Sequence, residues 1–486
     1  MPKINPIQEN TNLIKKARSA TYWLFGSNIA IQLISWAITV FVARILSPDD
    51  YGLFGMAALL TSFLVLFNEL GLGPAIIQKK DLSKEQLSSC FWIIVVINIS
   101  LFFIAFICAP FVASFFHEKR LTSIIRVAAI SIVIGGLYKI HYSLLTKELM
   151  FNKRSIVDFV SRLCGGVSTL LLAIFGYGVW SLVYSLIIGD LVKLILLYIF
   201  VDWYPEKIFS HQIIKNMIRF AYNVTGSRIL QYFYSNSDYL IAGKFLGKTL
   251  LGYYSLAFQL ASLPNEKLIS LIGQIMFPLF SKIQDDEITL RNYFLRIVKI
   301  TAFIVFPIFT GMYLIGELVI ILLLSNKWIP MILPFKILCL IAALRAINTF
   351  NSRLVYATGH PHIDLSNTAI CSVIMPLGFL IGSKYGLNGI SYAWLILYPM
   401  VFLITTKRSI NVINISLLEY FKNLTFPVIA TCFMAIIVEL FKTLLLSYSN
   451  FFQLTFCCLI GMLSYAIFII LFSKQFLSEI KIFILR

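Results

Sequence analysis

The sequence predicts an all-α polytopic membrane protein with about 14 transmembrane helices, and three observations lead to that prediction. Of the 486 residues, 59% are hydrophobic and 13% are charged, with a mean hydropathy of +0.87, which is too apolar for a soluble protein. Runs such as residues 91–116 are near the ~20 apolar residues that cross ~30 Å of hydrocarbon as a helix. The period-two alternation typical of outer-membrane strands is not seen in the sequence.

Fourteen candidate spans can be placed along the chain, and the distribution of Lys and Arg orients them. The spans cover about residues 20–44, 52–74, 88–115, 121–142, 154–175, 177–200, 218–245, 250–280, 292–316, 329–354, 363–383, 387–406, 423–446 and 452–473. Loops on the side of the termini hold 24 Lys and Arg, against nine on the opposite side. Because short cytoplasmic loops are enriched in these residues, we expect both termini in the cytoplasm.

The chain contains an internal duplication. Residues 43–62 recur as residues 243–262, where Leu46, Gly52, Ala57, Leu60 and Ser62 are repeated without a gap by Leu246, Gly252, Ala257, Leu260 and Ser262. Further matches continue the repeat, such as residues 177–178 with residues 385–386. Each repeat has six spans, an even number, so both repeats begin on the same side of the membrane. We therefore expect two six-helix lobes related by a pseudo-two-fold axis along the membrane normal. The predicted division is 1–205, 206–412 and a C-terminal pair of helices in 413–486.

Composition and motifs disfavour several classes of function. The net charge is +18, but the basic residues are spread over alternate loops, which disfavours nucleic-acid binding. The eight cysteines lie in or beside apolar runs without CxxC spacing, and the histidines are not clustered, so neither disulfides nor a metal site is expected. Phosphate-binding loops and large soluble segments are missing from the sequence, and we expect no cofactor.

Two homologous spans carry polar stripes in equivalent places. On span 7 the stripe consists of Arg228, Gln231, Ser235 and Asp238, and on span 1 of Asn28, Gln32, Ser35 and Thr39. Spacings of three and four keep these residues on one helix face. One interpretation is that both stripes line a central cavity between the lobes, typical of a transporter built from repeats. The alternative is hydrogen bonding between helices within each lobe.

Charged residues inside spans are costly and mark candidate sites. Arg126, Arg228 and Arg345 have no opposite charge within one turn of their own helix, which leaves them free to receive an anion; the alternatives are lipid-headgroup contacts and interhelical ion pairs. Arginine suits a diphosphate because its planar fork donates to two phosphate oxygens at once. By contrast, the spacings Asp158–Arg162 and Asp190–Lys193 predict ion pairs within one helix.

Three further residues are candidates for coupling and gating. Glu69, beside the glycines of residues 71–73, and Asp238 could carry a coupling proton or sodium ion, although Glu69 could equally cap its helix. Pro264 removes a backbone hydrogen bond from span 8 and predicts a bend. A bent helix bordering a cavity would suit a gate.

Three segments resemble a known family: residues 41–57 (FVARILSPDDYGLFGMA), 69–78 (ELGLGPAIIQ) and 237–257 (SDYLIAGKFLGKTLLGYYSLA). They are similar to the polysaccharide flippases of the multidrug/oligosaccharidyl-lipid/polysaccharide exporter superfamily, in the branch that handles O-antigen and colanic-acid-like repeat units. The resemblance covers about residues 10–420.

The resemblance implies a bacterial inner-membrane protein that moves undecaprenyl-diphosphate-linked oligosaccharide to the periplasmic leaflet by alternating access. It implies a V of two lobes with an arginine-bearing central cavity. Its partners would be this lipid-linked glycan, membrane lipids and a polysaccharide polymerase or export machinery.

Two other functions compete with flipping. A cation-coupled multidrug exporter of the same superfamily would need an acidic cavity, whereas the charges predicted inside the spans are mostly basic. A membrane-bound glycosyltransferase or polymerase would need a catalytic base and a sizeable domain for a sugar donor. The sequence offers neither, so an enzyme is not expected.

Overall fold

The chain is described by a computed structural model in which residues 34–68, 72–78, 82–208 and 211–472 are placed. Within the helices, only the backbone is described for residues 211–228, which include Arg228, and for residues 74, 75, 78, 270, 271, 274 and 275. Across these ranges the secondary structure is helical, and none of the described residues lies in a β-strand. The predicted all-α class is therefore confirmed.

Sixteen α-helices are numbered here in chain order. The first eight are α1 (Ile34–Ile45), α2 (Pro48–Val65), α3 (Leu72–Gln78), α4 (Lys84–Phe115), α5 (Leu121–Ala128), α6 (Ile130–Lys147), α7 (Phe151–Ile174) and α8 (Val179–Phe200). The remaining eight are α9 (His211–Pro264), α10 (Ser270–Lys282), α11 (Glu287–Val319), α12 (Ile332–Ala357), α13 (Pro361–Ser383), α14 (Gly386–Ile410), α15 (Leu417–Leu444) and α16 (Asn450–Phe472).

Most of these helices are suited to a bilayer. Within the described residues, ten helical segments are long and apolar enough to cross a membrane. They correspond to predicted spans 3–6 and 9–14, while α1, α2 and the two arms of α9 occupy the positions of spans 1, 2, 7 and 8. The chain is therefore a multi-pass membrane protein.

The chain forms two compact units, with the division between Tyr232 and Phe233 inside α9. In unit 1 (residues 1–232), a core cluster around Ile76, Phe91 and Ile94 is fully or almost fully buried. In unit 2 (residues 233–486), α11 packs against α12, α15 and α16.

The duplicated segment breaks the helix at the same place in each copy, by different means. In the first copy α1 ends at Ile45, and Ser47 starts α2 with a capping box in which its hydroxyl and the Asp50 carboxylate bond each other's backbone N–H groups. In the second copy, Gly247 adopts φ +81° within α9, a conformation that glycine takes without steric cost. The kink lies in the short segment, residues 246–249, that separates predicted spans 7 and 8.

Span 8 is interrupted a second time at Pro264. There α9 ends, and a π-helical turn (Asn265–Ile269) connects it to α10. π-Turns arise where the regular ladder of helical hydrogen bonds is broken, as proline breaks it. Asn265 Nδ2 donates a hydrogen bond to the Ala342 carbonyl of α12 at 2.8 Å, so the turn is attached to the neighbouring helix.

The two C-terminal helices are tied to α11 by polar contacts. Tyr465 of α16 donates to the Phe303 carbonyl at 2.8 Å, and Lys442 of α15 to the Leu314 carbonyl at 3.1 Å. At the start of α11, Arg291 forms a two-point ion pair with Glu419, with Nε 3.1 Å from Oε1. These helices are therefore an integral part of unit 2.

Helices α13 and α14 approach each other through glycine. A Cβ added to Gly389 would lie 2.0 Å from the Gly382 carbonyl oxygen, and this neighbour is backbone that cannot rotate away. At Gly311 in the middle of α11, by contrast, no atom lies within 4 Å of an added Cβ.

We predict that Gly389→Ala lowers the apparent Tm of the protein in detergent, because α13 and α14 must separate, a distortion that costs about 1–3 kcal/mol in packed interiors. Gly311→Ala is the matched control, and its Tm is expected to stay unchanged or rise slightly. Size-exclusion profiles after heating provide the measurement. Equal Tm values for the two variants would contradict the close packing of α13 and α14.

Candidate functional site

Two of the predicted site residues, Asp238 and Arg345, are brought together in unit 2. Asp238 lies on the first arm of α9 and Arg345 on α12. They are near enough for their opposite charges to attract each other. Around them lie aromatic side chains from the second arm of α9 and from α14.

Asp238 is held by hydrogen bonds and is 0% exposed. Its Oδ2 accepts the Tyr254 hydroxyl at 2.6 Å, and its Oδ1 accepts the backbone N–H of Tyr239 at 2.9 Å. The Trp394 indole N–H in turn donates to the Tyr254 oxygen at 2.8 Å. Each Asp238 oxygen therefore has a donor, which is the arrangement that an ionised carboxylate requires.

Arg345 is surrounded by aromatic rings. Its guanidinium carbon lies 5.1 Å from the ring centroid of Phe258 and 5.4 Å from that of Trp394. No ion pair or side-chain hydrogen bond of the guanidinium is found among the described residues. Cation–π attraction holds a cation without neutralising it, so Arg345 keeps its hydrogen-bonding capacity for a ligand.

Arg345 is also deep in its helix. It lies near the middle of α12, about 18 to 20 Å from either end at 1.5 Å per residue. This distance exceeds the reach of an arginine side chain, so contact with lipid headgroups is excluded for a helix that crosses the membrane. An anion could meet this guanidinium only inside the protein.

Arg126, in unit 1, has a different environment. Its guanidinium lies 4.1 Å from the Phe106 ring centroid, and its Nε donates to the Phe106 carbonyl at 3.4 Å. The side chain is half-buried against α4. Arg126 is therefore partly engaged by the protein itself and stays a prediction as an anion ligand.

The remaining predicted residues are only partly described. Ser235 is half-buried, Gln231 is exposed, and both have interaction partners. Arg228 lies on α9, but its side chain is outside the described part. Three more predicted residues fall outside the described ranges altogether: Asn28, Gln32 and Glu69. Their assignments stay predictions.

The ion pair predicted between Asp158 and Arg162 is wrong, while Asp190 and Lys193 attract each other without a direct ion pair among the described residues. Lys193 Nζ of α8 lies 2.8 Å from Asp158 Oδ1 of α7, so the pair joins two helices. The other Asp158 oxygen accepts the Tyr142 hydroxyl at 3.0 Å, and Arg154 Nε donates to that hydroxyl oxygen at 2.7 Å. Asp190 instead accepts the Tyr138 hydroxyl at 3.2 Å.

This pairing leaves Arg162 without the partner that its spacing indicates. The side chain is exposed, and in the described part of the chain it makes no ion pair. It lines an open recess with Ser35 of α1 and the neighbouring side chains Ile34, Phe159 and Leu163. Asp158 is four residues from both Arg154 and Arg162, and spacing alone does not show that the pair forms with Arg154.

The described part of the chain contains neither a candidate metal site nor a disulfide bond. No group of three or more His, Cys, Asp or Glu residues that could hold a metal ion is found there. All eight cysteines lie in that part and are free thiols.

Comparison with known proteins gives a family and a fold. Residues 41–333 match the family described as "Polysaccharide biosynthesis protein". Among curated relatives, the teichuronic acid biosynthesis protein TuaB of Bacillus subtilis is 24% identical over 88% of this chain and 89% of its own length. The lipopolysaccharide biosynthesis protein WzxC of Escherichia coli is 24% identical over 79% of each chain.

Among solved structures, the lipid II flippase MurJ in an inward closed conformation has a TM-score of 0.77. The match covers 93% of this chain and 99% of that one at 17% sequence identity, so it shows a shared fold. The resemblance predicted from the three sequence segments is confirmed. The family match covers more than half of the 486 residues, and the chain belongs to the polysaccharide biosynthesis protein family.

Proposed function

We propose that this chain moves undecaprenyl-diphosphate-linked oligosaccharide across the bacterial inner membrane by alternating access. Its fold is similar to that of a lipid II flippase, and its relatives are named for the biosynthesis of teichuronic acid and lipopolysaccharide. All of these names concern surface glycans. A protein of this kind would keep the sugar and diphosphate in a polar environment while the prenyl chain stays in lipid, because sugar hydroxyls without partners cost several kcal/mol each in hydrocarbon.

The observation that carries the proposal is Arg345. A charge at mid-span costs about 2.5 to 3.5 kcal/mol on insertion scales, yet this one has aromatic rings and no ion pair among the described residues. Asp238 offsets part of this charge from a distance, and an anionic group of the substrate would supply the direct contact that the guanidinium lacks. A diphosphate suits the guanidinium because two oxygens can accept its parallel N–H donors.

Asp238 is the candidate for ion coupling in the same cluster. Its two oxygens accept hydrogen bonds from the Tyr254 hydroxyl and the Tyr239 N–H, so uptake of a proton or sodium ion would compete with these donors. Loss of the Asp238 charge would also increase the net positive charge beside Arg345. Cation binding at Asp238 and anion binding at Arg345 would thereby be linked.

Pro264 is the candidate gate. The π-turn after it bonds through Asn265 to the Ala342 carbonyl, one helical turn from Arg345 on α12. A change in the bend of span 8 would therefore act on the helix that carries the proposed phosphate ligand. Arg126, Arg228, Gln231, Ser235, Asn28 and Gln32 complete the proposed substrate-binding set, and Glu69 is a second coupling candidate.

Orientation follows from loop charge. The excess of Lys and Arg on the side of the termini favours a cytoplasmic location for both. The substrate would then be loaded from the cytoplasmic side, which carries the excess of Lys and Arg and where the anionic lipid-linked glycan is assembled. A polysaccharide polymerase or export machinery would receive it on the other side.

The runner-up function is a cation-coupled multidrug exporter. Arg345 argues against it, since a lipophilic cation would be repelled by a guanidinium that makes no direct ion pair among the described residues. Deletion of the gene separates the two functions, because loss of an exporter would sensitise cells to cationic drugs.

We predict that deletion makes lipid-linked repeat units collect in the cytoplasmic leaflet and leaves sensitivity to cationic drugs unchanged. Spheroplasts treated with a glycosidase that cannot cross the membrane would report the leaflet, since only periplasmic units are cleaved. Normal cleavage in the deletion strain would contradict the proposed function.

We predict that Arg345→Met abolishes restoration of surface polysaccharide in the deletion strain and that Arg345→Lys restores it partly. Lysine keeps the charge and loses the planar fork, and a hydrogen bond to a charged group is worth about 1.5–3 kcal/mol. Lys336→Gln is the matched control, because it removes a cation from an ion pair with the exposed Glu317, and such pairs contribute little. Full restoration by Arg345→Met at normal expression would remove Arg345 from the site.

A further inference from the structure

We propose that residues 201–208, which connect α8 to α9, form a strap that fixes the start of α9 to unit 1. The positioning residues that hold the strap are Ser88 and Trp92 of α4 and His141 of α6. α9 carries the polar stripe predicted for span 7, which belongs to the substrate site under the proposed function. The inference rests on that function only in this respect, because the strap itself is defined by contacts within unit 1.

The connecting segment, residues 201–208, has no helix or strand that would satisfy its backbone. α8 ends at Phe200, and Pro205 lacks an N–H and disfavours a helical conformation at the residue before it. Backbone groups outside helices and sheets need hydrogen bonds from side chains or water. Here side chains of α4 and α6 supply several of them.

Both backbone groups of Glu206 are bonded to α4. Its N–H donates to the Ser88 hydroxyl oxygen at 2.9 Å, and its carbonyl accepts from the indole Nε1 of Trp92 at 2.9 Å. Ser88 and Trp92 are four residues apart, so they lie on one face of the helix. Beside them, the Ser89 hydroxyl reaches the Ile208 carbonyl at 3.5 Å. About one turn of α4 therefore holds the end of the segment.

Trp203 anchors the middle of the segment in unit 1. Its ring packs against the buried cluster of α4, with its centroid 6.1 Å from that of Phe91. Its carbonyl accepts a hydrogen bond from Nε2 of His141 at 3.1 Å. His141 is 0% exposed, and its ring is stacked on that of Tyr198 with centroids 4.0 Å apart. The strap is thus bonded to an imidazole whose orientation is fixed by packing against α8.

The position of the strap determines how far the start of α9 can move. Two residues separate Ile208 from His211, where α9 begins. A chain extends at most about 3.6 Å per residue, so the closed strap keeps His211 within about 11 Å of Ile208. Without the strap, the connection from Phe200 could extend to about 40 Å. The strap therefore fixes the first end of the helix that bears the polar stripe.

A fixed start has a consequence for movement along α9. Its residues up to Tyr232 belong to unit 1, and those from Phe233 belong to unit 2. Any movement between the units would then be accommodated within α9 and not in the connection from α8. The polar stripe has members on each side of this division, so its residues would move relative to one another during transport.

The strap is also a local structure whose opening can be measured. Five of its side chains are exposed: Asp202, Tyr204, Glu206, Lys207 and Ile208. Segments held by a few hydrogen bonds near the surface open at a lower free energy than the core. Proteolysis after Lys207 reports the population of the open form, because a protease cleaves a locally unfolded chain.

The first test is limited trypsin digestion of the purified full-length protein in detergent. Cleavage after Lys207 is measured by peptide mass spectrometry relative to cleavage after Lys282, which is exposed at the end of α10. The variants are Trp92→Phe and Ser88→Ala, each of which removes one bond to the strap. Trp180→Phe is the matched control, because the Trp180 indole makes no hydrogen bond among the described residues.

We predict that the unaltered chain is cleaved more slowly after Lys207 than after Lys282. Trp92→Phe and Ser88→Ala should each raise the ratio of the two cleavage rates about three- to tenfold, as expected for the loss of one hydrogen bond. Trp180→Phe should leave the ratio unchanged. Because the two variants remove different bonds, misfolding of one leaves the other as the test.

The second test asks whether the strap positions α9, which a merely structural loop contact would not do. The sequence Gly-Ser-Gly-Ser is inserted after Ile208, between the strap and α9, and the same insertion after Gln284, between α10 and α11, is the control. The first insertion leaves the strap closed but extends the reach of the start of α9 from about 11 to about 25 Å.

We predict that the insertion after Ile208 slows restoration of surface polysaccharide in the deletion strain about tenfold, because the start of α9 samples a volume about tenfold larger. The insertion after Gln284 should be tolerated at equal expression, as exposed loops commonly tolerate insertions.

Four results would overturn the strap. In the digestion, they are equal cleavage after Lys207 and Lys282 in the unaltered chain, and a ratio that neither variant raises beyond the control. In the deletion strain, they are full restoration with the insertion after Ile208, and equal effects of the two insertions. The proposed function is judged separately, because failure of the unaltered chain to restore polysaccharide would remove that function while the digestion result stands.

Discussion

The cost of an ionised side chain in hydrocarbon, about 2.5 to 3.5 kcal/mol at mid-span, governs the polar interior of this protein. Two carboxylates have donors for both oxygens: Lys193 and Tyr142 for Asp158, and Tyr254 with a backbone N–H for Asp238. Arg162 and Arg345 differ, since neither has an ion pair in the described part of the chain. Asp238 offsets part of the Arg345 charge from a distance, and under the proposed function an anionic group of the substrate provides the direct contact that Arg345 lacks.

Aromatic rings are a suitable environment for an arginine that must bind and then release an anion. The contacts of Arg345 with Phe258 and Trp394 attract the cation through the ring quadrupole, at about 0.5 to 2 kcal/mol per contact. A carboxylate in the same place would compete directly with phosphate. Breaking a buried ion pair costs about 3–5 kcal/mol, which would oppose each round of binding. The rings fix the guanidinium while leaving its donors free.

Much of the fold could be predicted because membrane helices are encoded locally. Span 3, predicted at 88–115, is Lys84–Phe115, and span 11, predicted at 363–383, is Pro361–Ser383. The observed breaks at Ser47 and Gly247 lie in the gaps between predicted spans 1 and 2 and between predicted spans 7 and 8. The π-turn after Pro264 was less accessible, since proline predicts an irregular helix without specifying its form.

The candidate site was harder to predict because it depends on contacts between distant helices. Asp158 has an arginine four residues away on each side. Its shortest ion pair is instead with Lys193 of α8, thirty-five residues further along the chain. The aromatic partners of Arg345 come from α9 and α14, which the sequence does not connect to α12. The sequence therefore predicted Arg345 and Asp238 as site residues without indicating the aromatic side chains around them.

The central claim is that Arg345, an intramembrane arginine whose guanidinium lies beside aromatic rings, recognises the diphosphate of a lipid carrier. Native mass spectrometry of the purified protein, with equal amounts of undecaprenyl diphosphate and undecaprenol, tests it most directly. We expect the unaltered protein to retain the diphosphate in preference to the alcohol, and Arg345→Met to lose most of that preference. The same preference in both proteins would contradict the account.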